Sequence, residues 1–179
     1  EVCRLLGALK ANGIDTTTIV VLFSDHGQGL GEHGVMTHTQ YVYHSLIHVP
    51  LAVYIPGIEP MCVAQNVTLL DLTPTALELA GMHPPDDLEG ISLMPALAGG
   101  DLPACRPIVA IDAKQRSVIV GPWKLIVTVE AGAVELFNLD EDPTEHNDLS
   151  GVQSLQRIKE ALLSEMAHYG DLRVVGPDR

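Results

Sequence analysis

Apolar residues at Val2, Leu5, Leu6 and Leu9 recur at the spacing of one helix face, and Gly13 stands where such a helix would end. The period then changes. The run "TTTIVVLF", Thr16 to Phe23, is β-branched or apolar at consecutive positions. It predicts a strand buried on both faces, as in a parallel sheet. A glycine-rich loop over 25–39 follows, then about two turns of helix in "QYVYHSLIH". A second apolar strand, "VPLAVYIPG", is closed by Pro56-Gly57. Helix, strand, loop, helix, strand is α/β organisation.

Further on, "DLTPTALELAGM" predicts a helix, with Thr73 as cap, Pro74 at the first helical position and Gly81 at the end. "ISLMPALAGG" predicts a short helix from Ser92. From about residue 106 the pattern becomes short strands: "RPIVAID", "SVIVG", "WKLIVTVE" and "AVELFNL", with "EAGA" as a hairpin loop. "DEDPTEHNDLS" reads as a solvated polar turn. The last helix carries Val152, Leu155, Ile158, Leu162 and Met166 on or near one stripe. The expected architecture is an α/β unit over 1–105 and an antiparallel sheet with a closing helix over 106–179.

Composition narrows the function classes. An apolar content of 46% over 179 residues suits a globular chain with a sizeable core. No stretch of 18 uninterrupted apolar residues suggests a membrane span. A net charge of −13 argues against nucleic acid or an anionic membrane as partner. Any anion bound here would need a metal or local cationic groups. Cys3, Cys62 and Cys105 have neither metal spacing nor a disulfide framework and are expected to be buried free thiols. The chain opens directly on a helix, without a leader, which suits a piece of a longer protein.

The candidate chemistry sits in "FSDHGQGLGEHG", Phe23 to Gly34. Ligands of open α/β sheets bind beyond the carboxyl ends of the strands, where Asp25 and His26 stand. Leaving a strand at a glycine-flanked turn lets two successive side chains face one point. A hard carboxylate oxygen and an imidazole nitrogen together suit Mg²⁺, Mn²⁺, Zn²⁺ or Ca²⁺. Local chemistry alone also allows a polar loop in which Asp25 caps the turn. Glu32 and His33, seven residues on, read as supporting groups, Glu32 as an acceptor for a hydrogen bond from His26.

Four blocks in order resemble the C-terminal signatures of the sulfatase family, in the alkaline phosphatase superfamily. They are "VLFSDHGQGLGEHG", "HVPLAVYIPG", "VTLLDLTPTALELAGM" and "ELFNLDEDPTEHNDL". The resemblance implies the C-terminal part of an alkaline phosphatase-like mixed or parallel sheet with flanking helices, then a small antiparallel sheet and helix. It implies a hydrolase of sulfate esters, small-molecule or glycan, with one divalent metal, calcium foremost and Mg²⁺ or Mn²⁺ as alternatives. Asp25 and His26 match the family's late metal pair. The family's other two metal-binding aspartates, and its formylglycine nucleophile, belong to N-terminal motifs with no counterpart in this chain. His38 stands where many members carry a lysine that binds sulfate and assists the leaving oxygen, so it is the candidate catalytic residue. That departure leaves open a phosphonate or phosphodiester hydrolase of the same superfamily. A non-catalytic metal-binding protein is the alternative of a different class.

Other candidates reduce to ordinary roles. "CRPIV" at Cys105 has Val109 where a formylglycine motif needs arginine. His44 and His48 are spaced i, i+4 but lack the Glu of a zinc-protease motif, so packing is expected. "DEDPTEHNDLSG" fails as an EF-hand, because Glu145 and Gly151 exchange the types that its sixth and twelfth positions require. Lys124, in "WKLI", is expected at the surface.

Overall fold

The computed structural model describes residues 1–38 and 40–169. Thr39 and 170–179, at the ends of the predicted loop and of the predicted C-terminal unit, lie outside the described residues. The elements run α1 (Val2–Ala11), β1 (Val20–Phe23), α2 (His44–Ile47), β2 (Leu51–Tyr54), α3 (Leu72–Leu79) and α4 (Met94–Leu97). They continue with β3 (Ile108–Ile111), β4 (Gln115–Val120), β5 (Trp123–Thr128), β6 (Ala133–Asn138) and α5 (Gln156–Ala167). Among the described residues no helix is long and apolar enough to cross a membrane.

The four-stranded sheet β3-β4-β5-β6 is antiparallel throughout and holds most of the core. Its inner strands are buried along most of their length because both faces are covered. Val118, Leu125, Val127 and Leu136 pack with Leu162 and Met166 of α5. Ile126 and Phe137 pack on the opposite face with Val35, Val42, Tyr43 and Leu46. The predicted closing helix thus covers one face, and Val35 with residues 41–47 covers the other. A third cluster, Leu93, Ala96 and Leu102, gathers Leu51, Val67 and Ile91 around α4.

Several expectations need correction. β1 does not lie in a parallel pair; it runs antiparallel to β2, with Val20 opposite Tyr54 and Phe23 opposite Leu51. Nor is it buried on both faces, since Val21, Leu22 and Phe23 are exposed, Phe23 at 49%. An apolar run fixes how much surface wants covering, not the direction of the neighbouring strand. α2 is one turn rather than two, and it starts at His44 because Tyr43 is extended, with Val42 and Tyr43 buried against Ile126 and Phe137 of the sheet. The helix at 72 is capped differently from the Thr73-Pro74 expectation. Thr68 and Asp71 form a reciprocal capping box around a 3₁₀ turn, Leu69–Asp71, that leads into α3. All three cysteines are exposed. Cys3 rides on α1, which buries no residue, and Cys105 sits at a positive-φ turn.

Lys124 and Glu145 also break expectation. Both are buried, Lys124 with no exposed area. Lys124 lies on β5 opposite Ile119 and Phe137, on the sheet face that packs against Val35 and residues 41–47. A strand position fixes the face of its side chain whatever its charge. The turn 140–150 is therefore not solvated throughout, because Glu145 folds inward to meet Lys124 at 2.5 Å.

Candidate metal and catalytic site

Asp25 and His26 follow β1 directly. The loop after them is tied to the entry of α2 by backbone bonds, Gly27 N–H to Leu46 O at 2.7 Å and Gln28 N–H to Ser45 O at 3.2 Å. A Cβ on Gly27 would meet Ser45 O at 2.0 Å, and one on Gly29 would meet Val35 O at 2.7 Å. These glycines are needed for close backbone approach, a different demand from the hinge their spacing suggested.

The loop holds the two candidate ligands side by side. The Asp25 carboxylate is 82% exposed, and its Oδ1 lies 3.8 Å from His26 Nε2. His26 Nδ1 donates to Gly27 O at 2.8 Å. With Nδ1 carrying the proton, Nε2 keeps its lone pair on the side facing Asp25, the tautomer that binds metal. Ser24 Oγ donates to His26 O at 2.7 Å, and His26 N–H to Asp25 Oδ1 at 3.0 Å, so the pair is oriented locally. One cation with bonds of about 2.0–2.5 Å can touch both side chains. Among the described residues no group of three or more His, Cys, Asp or Glu is placed to hold a metal, so these two donors fit one side of a coordination shell.

His38 lies beside this pair. Its ring stacks on His26 with centroids 4.5 Å apart and planes 16° from parallel. Its Nδ1 is 3.3 Å from Gln28 Oε1. The structure brings Asp25, His26 and His38 together, whereas Glu32 and His33 face elsewhere. Glu32 Oε2 accepts the Leu30 N–H at 2.7 Å, and that bond holds its carboxyl below the usual range. His33 stacks on Tyr43 at 3.9 Å and places Nε2 3.1 Å from Thr144 O. His33 braces the loop against Tyr43 and the 140–150 turn, while Glu32 closes a turn within the loop itself.

Asp25 also borders a cleft of about 770 Å³, shared with His44, His48, Gln65, Asn66 and Thr68. His44 and His48 stack at 4.3 Å. Burial first, then the charges of Lys124 and His48, lowers the His44 pKa to about 4. A depressed histidine pKa means the unfolded chain binds the proton more readily. Its stabilising contribution is therefore complete above about pH 6.5 and is lost as pH falls through about 4. Thermal melts across that window should show His44→Gln with a shallower loss of Tm than the parent. An equal slope in both would contradict this assignment.

Sequence reasoning missed Gln28, Gln115, Lys124 and Glu145. A usable signal existed for Lys124: a lone charge inside the apolar run of β5 must either snorkel or find a buried partner.

Comparisons with known proteins point to one family. The family model Sulfatase matches residues 1–82. Arylsulfatase K of Xenopus laevis is 30% identical over 165 residues, covering 83% of this chain and 31% of that protein. The Delta 4,5-hexuronate-2-O-sulfatase of Bacteroides thetaiotaomicron is 30% identical over 163 residues, covering 84% and 34%. Among solved structures, a 2-O GAG sulfatase superposes with a TM-score of 0.78 at 26% identity, over 94% of this chain and 39% of that one. The phosphonate monoester hydrolase of Silicibacter pomeroyi shares the fold, with a TM-score of 0.80 at 21% identity, over 94% and 37%. The chain spans about a third of the length of the curated relatives it matches. It belongs to the sulfatase family and carries the C-terminal part of the sulfatase fold.

Proposed function

We propose that this chain supplies the late metal ligands and the leaving-group donor of a hydrolase acting on sulfate esters, with sulfated glycans the favoured substrate class. The observation that carries the reading is the convergence of Asp25 Oδ1 and His26 Nε2, 3.8 Å apart, in a chain of the sulfatase family. The two residues would hold one divalent cation, calcium foremost, with the remaining ligands and the formylglycine nucleophile coming from sequence outside this chain. Bound there, the cation supplies Lewis-acid polarisation of the sulfate oxygens. Asp25 contributes negative charge and a hard oxygen. His26 contributes a neutral nitrogen whose orientation the Gly27 carbonyl fixes. His38, stacked on His26, would give a proton to the departing ester oxygen. Gln65, Asn66 and Thr68 along the cleft offer neutral hydrogen-bonding groups of the kind that sugar hydroxyls take.

The second reading, a phosphonate or phosphodiester hydrolase, is favoured by His38 at a position where many sulfatases have lysine and by the shared fold of the phosphonate monoester hydrolase. The test is a rate comparison on the polypeptide that carries this chain, with an aryl sulfate, a sulfated unsaturated disaccharide and an aryl phosphonate. Sulfate ester turnover that a chelator abolishes is expected. Phosphonate turnover exceeding sulfate turnover would favour the second reading and overturn the first.

A further inference from the structure

We infer that the buried Lys124–Glu145 pair is a positioning device for the Asp25-His26 loop, acting through the backbone of residues 42–46. The inference rests on the metal reading only for its consequence, not for the contacts. Lys124 Nζ donates to Val42 O at 2.7 Å and meets Glu145 Oε1 at 2.5 Å. The other oxygen of Glu145 accepts the His44 N–H at 2.6 Å. Gln115 Oε1 accepts the Val42 N–H at 3.1 Å, and Gln115 Nε2 donates to Thr128 Oγ1 at 3.2 Å. Three buried polar side chains of the sheet and its following turn are thus spent on the main chain of Val42 and His44.

The next two residues complete the path. Ser45 O and Leu46 O accept the N–H groups of Gln28 and Gly27. Gly27 O in turn accepts the His26 Nδ1 proton. From the ion pair to the imidazole every link is a hydrogen bond or one or two residues of chain. The glycine at 27 lets the two backbones touch.

A buried ion pair is weak evidence for stability, since the desolvation of both charges offsets their attraction. Burial alone disfavours the Lys124 ammonium, and the Glu145 carboxylate opposes that trend. What such a pair does supply is direction. Both charges keep hydrogen-bonding capacity beyond each other, and here that capacity is aimed at one three-residue segment. Loss of both charges should therefore loosen the segment more than it weakens the sheet.

The experiment uses the polypeptide that carries this chain as parent, Lys124→Met/Glu145→Gln, and Lys124→Arg as the conservative variant. Amide hydrogen exchange at Gly27 and Gln28 is the first readout and needs no metal. The double variant should exchange these amides at least tenfold faster, while Val118 and Leu125 in the sheet keep their protection. Lys124→Arg should recover part of the effect. Titration with Ca²⁺ and with Mn²⁺ is the second readout, with Kd expected to weaken roughly ten- to hundredfold, as for other groups that orient a ligand. Unchanged exchange at Gly27 and Gln28 overturns the inference. A parent that binds neither cation, together with faster exchange in the double variant, supports the positioning role and removes only the metal assignment. Should the double variant fail to fold, Lys124→Arg alone carries the exchange readout, since it keeps both charges but not the same bond to Val42 O: faster exchange at Gly27 and Gln28 is expected, and unchanged exchange overturns the inference.

Discussion

Asp71→Ala is expected to destabilise the chain by roughly 3–5 kcal/mol, the cost of leaving a partly buried cation without its partner. Asp71 has no exposed area. Its Oδ2 accepts the Thr68 N–H at 2.9 Å and its Oδ1 the Ile91 N–H at 2.9 Å. Arg106 grips the same carboxylate with both terminal nitrogens, at 2.8 and 2.5 Å. One side chain thus caps the 69–79 helical stretch, anchors the loop before α4 and receives the arginine that precedes β3. Alanine orphans two backbone donors and a guanidinium at once. For a chain of this length the shift in Tm should be on the order of 10 °C. Asp71→Asn, which keeps an acceptor and loses the charge, should fall between alanine and the parent. A Tm within about 2 °C of the parent for Asp71→Ala would show that solvent or a rearranged loop replaces these bonds.

The second result expected to be large concerns rate rather than stability. His26→Ala, measured in the polypeptide that carries this chain, should lower kcat by roughly a hundredfold or more, because a Lewis acid supplies several kcal/mol of barrier reduction. Asp25→Ala should do the same. Both side chains lie at the surface, so in the presence of a chelator neither change should alter the melting curve much. That separation of activity from stability is what distinguishes a ligand pair from a polar turn cap. A turn-cap role for Asp25 predicts the reverse, a lower Tm with turnover kept. His38→Ala should act more mildly and slow esters of poor leaving groups more than those of good ones, since it removes a proton donor to the departing oxygen.

How far the sequence revealed this arrangement depends on the kind of signal. Element type was legible wherever period or turn chemistry carried it: the helix at Val2–Ala11 with Gly13 at positive φ, the four strands after residue 106, and the hairpin before Ala133. The local pair Asp25-His26 was legible because adjacent residues need no tertiary information. Strand direction was not, since nothing in "TTTIVVLF" encodes its partner. Lys124 and Glu145 were misread as surface groups because each is ordinary alone. Their burial follows from a contact between β5, the 140–150 turn and Val42, segments far apart in the chain. The Thr68–Asp71 cap was hidden for a related reason, as Asp71 is selected by Arg106 and Ile91 more than by its own helix. The role of Gly27 was likewise tertiary, set by the Ser45 carbonyl it approaches.

Metal content bears most directly on the assignment of Asp25 and His26. The polypeptide that carries this chain, purified without added chelator, should hold close to one divalent ion per molecule by elemental analysis. Asp25→Ala and His26→Ala, folded by the same thermal melt, should hold far less and should regain turnover only at high added cation. Full metal occupancy in both variants, with undiminished hydrolysis of the sulfate ester, would contradict the assignment.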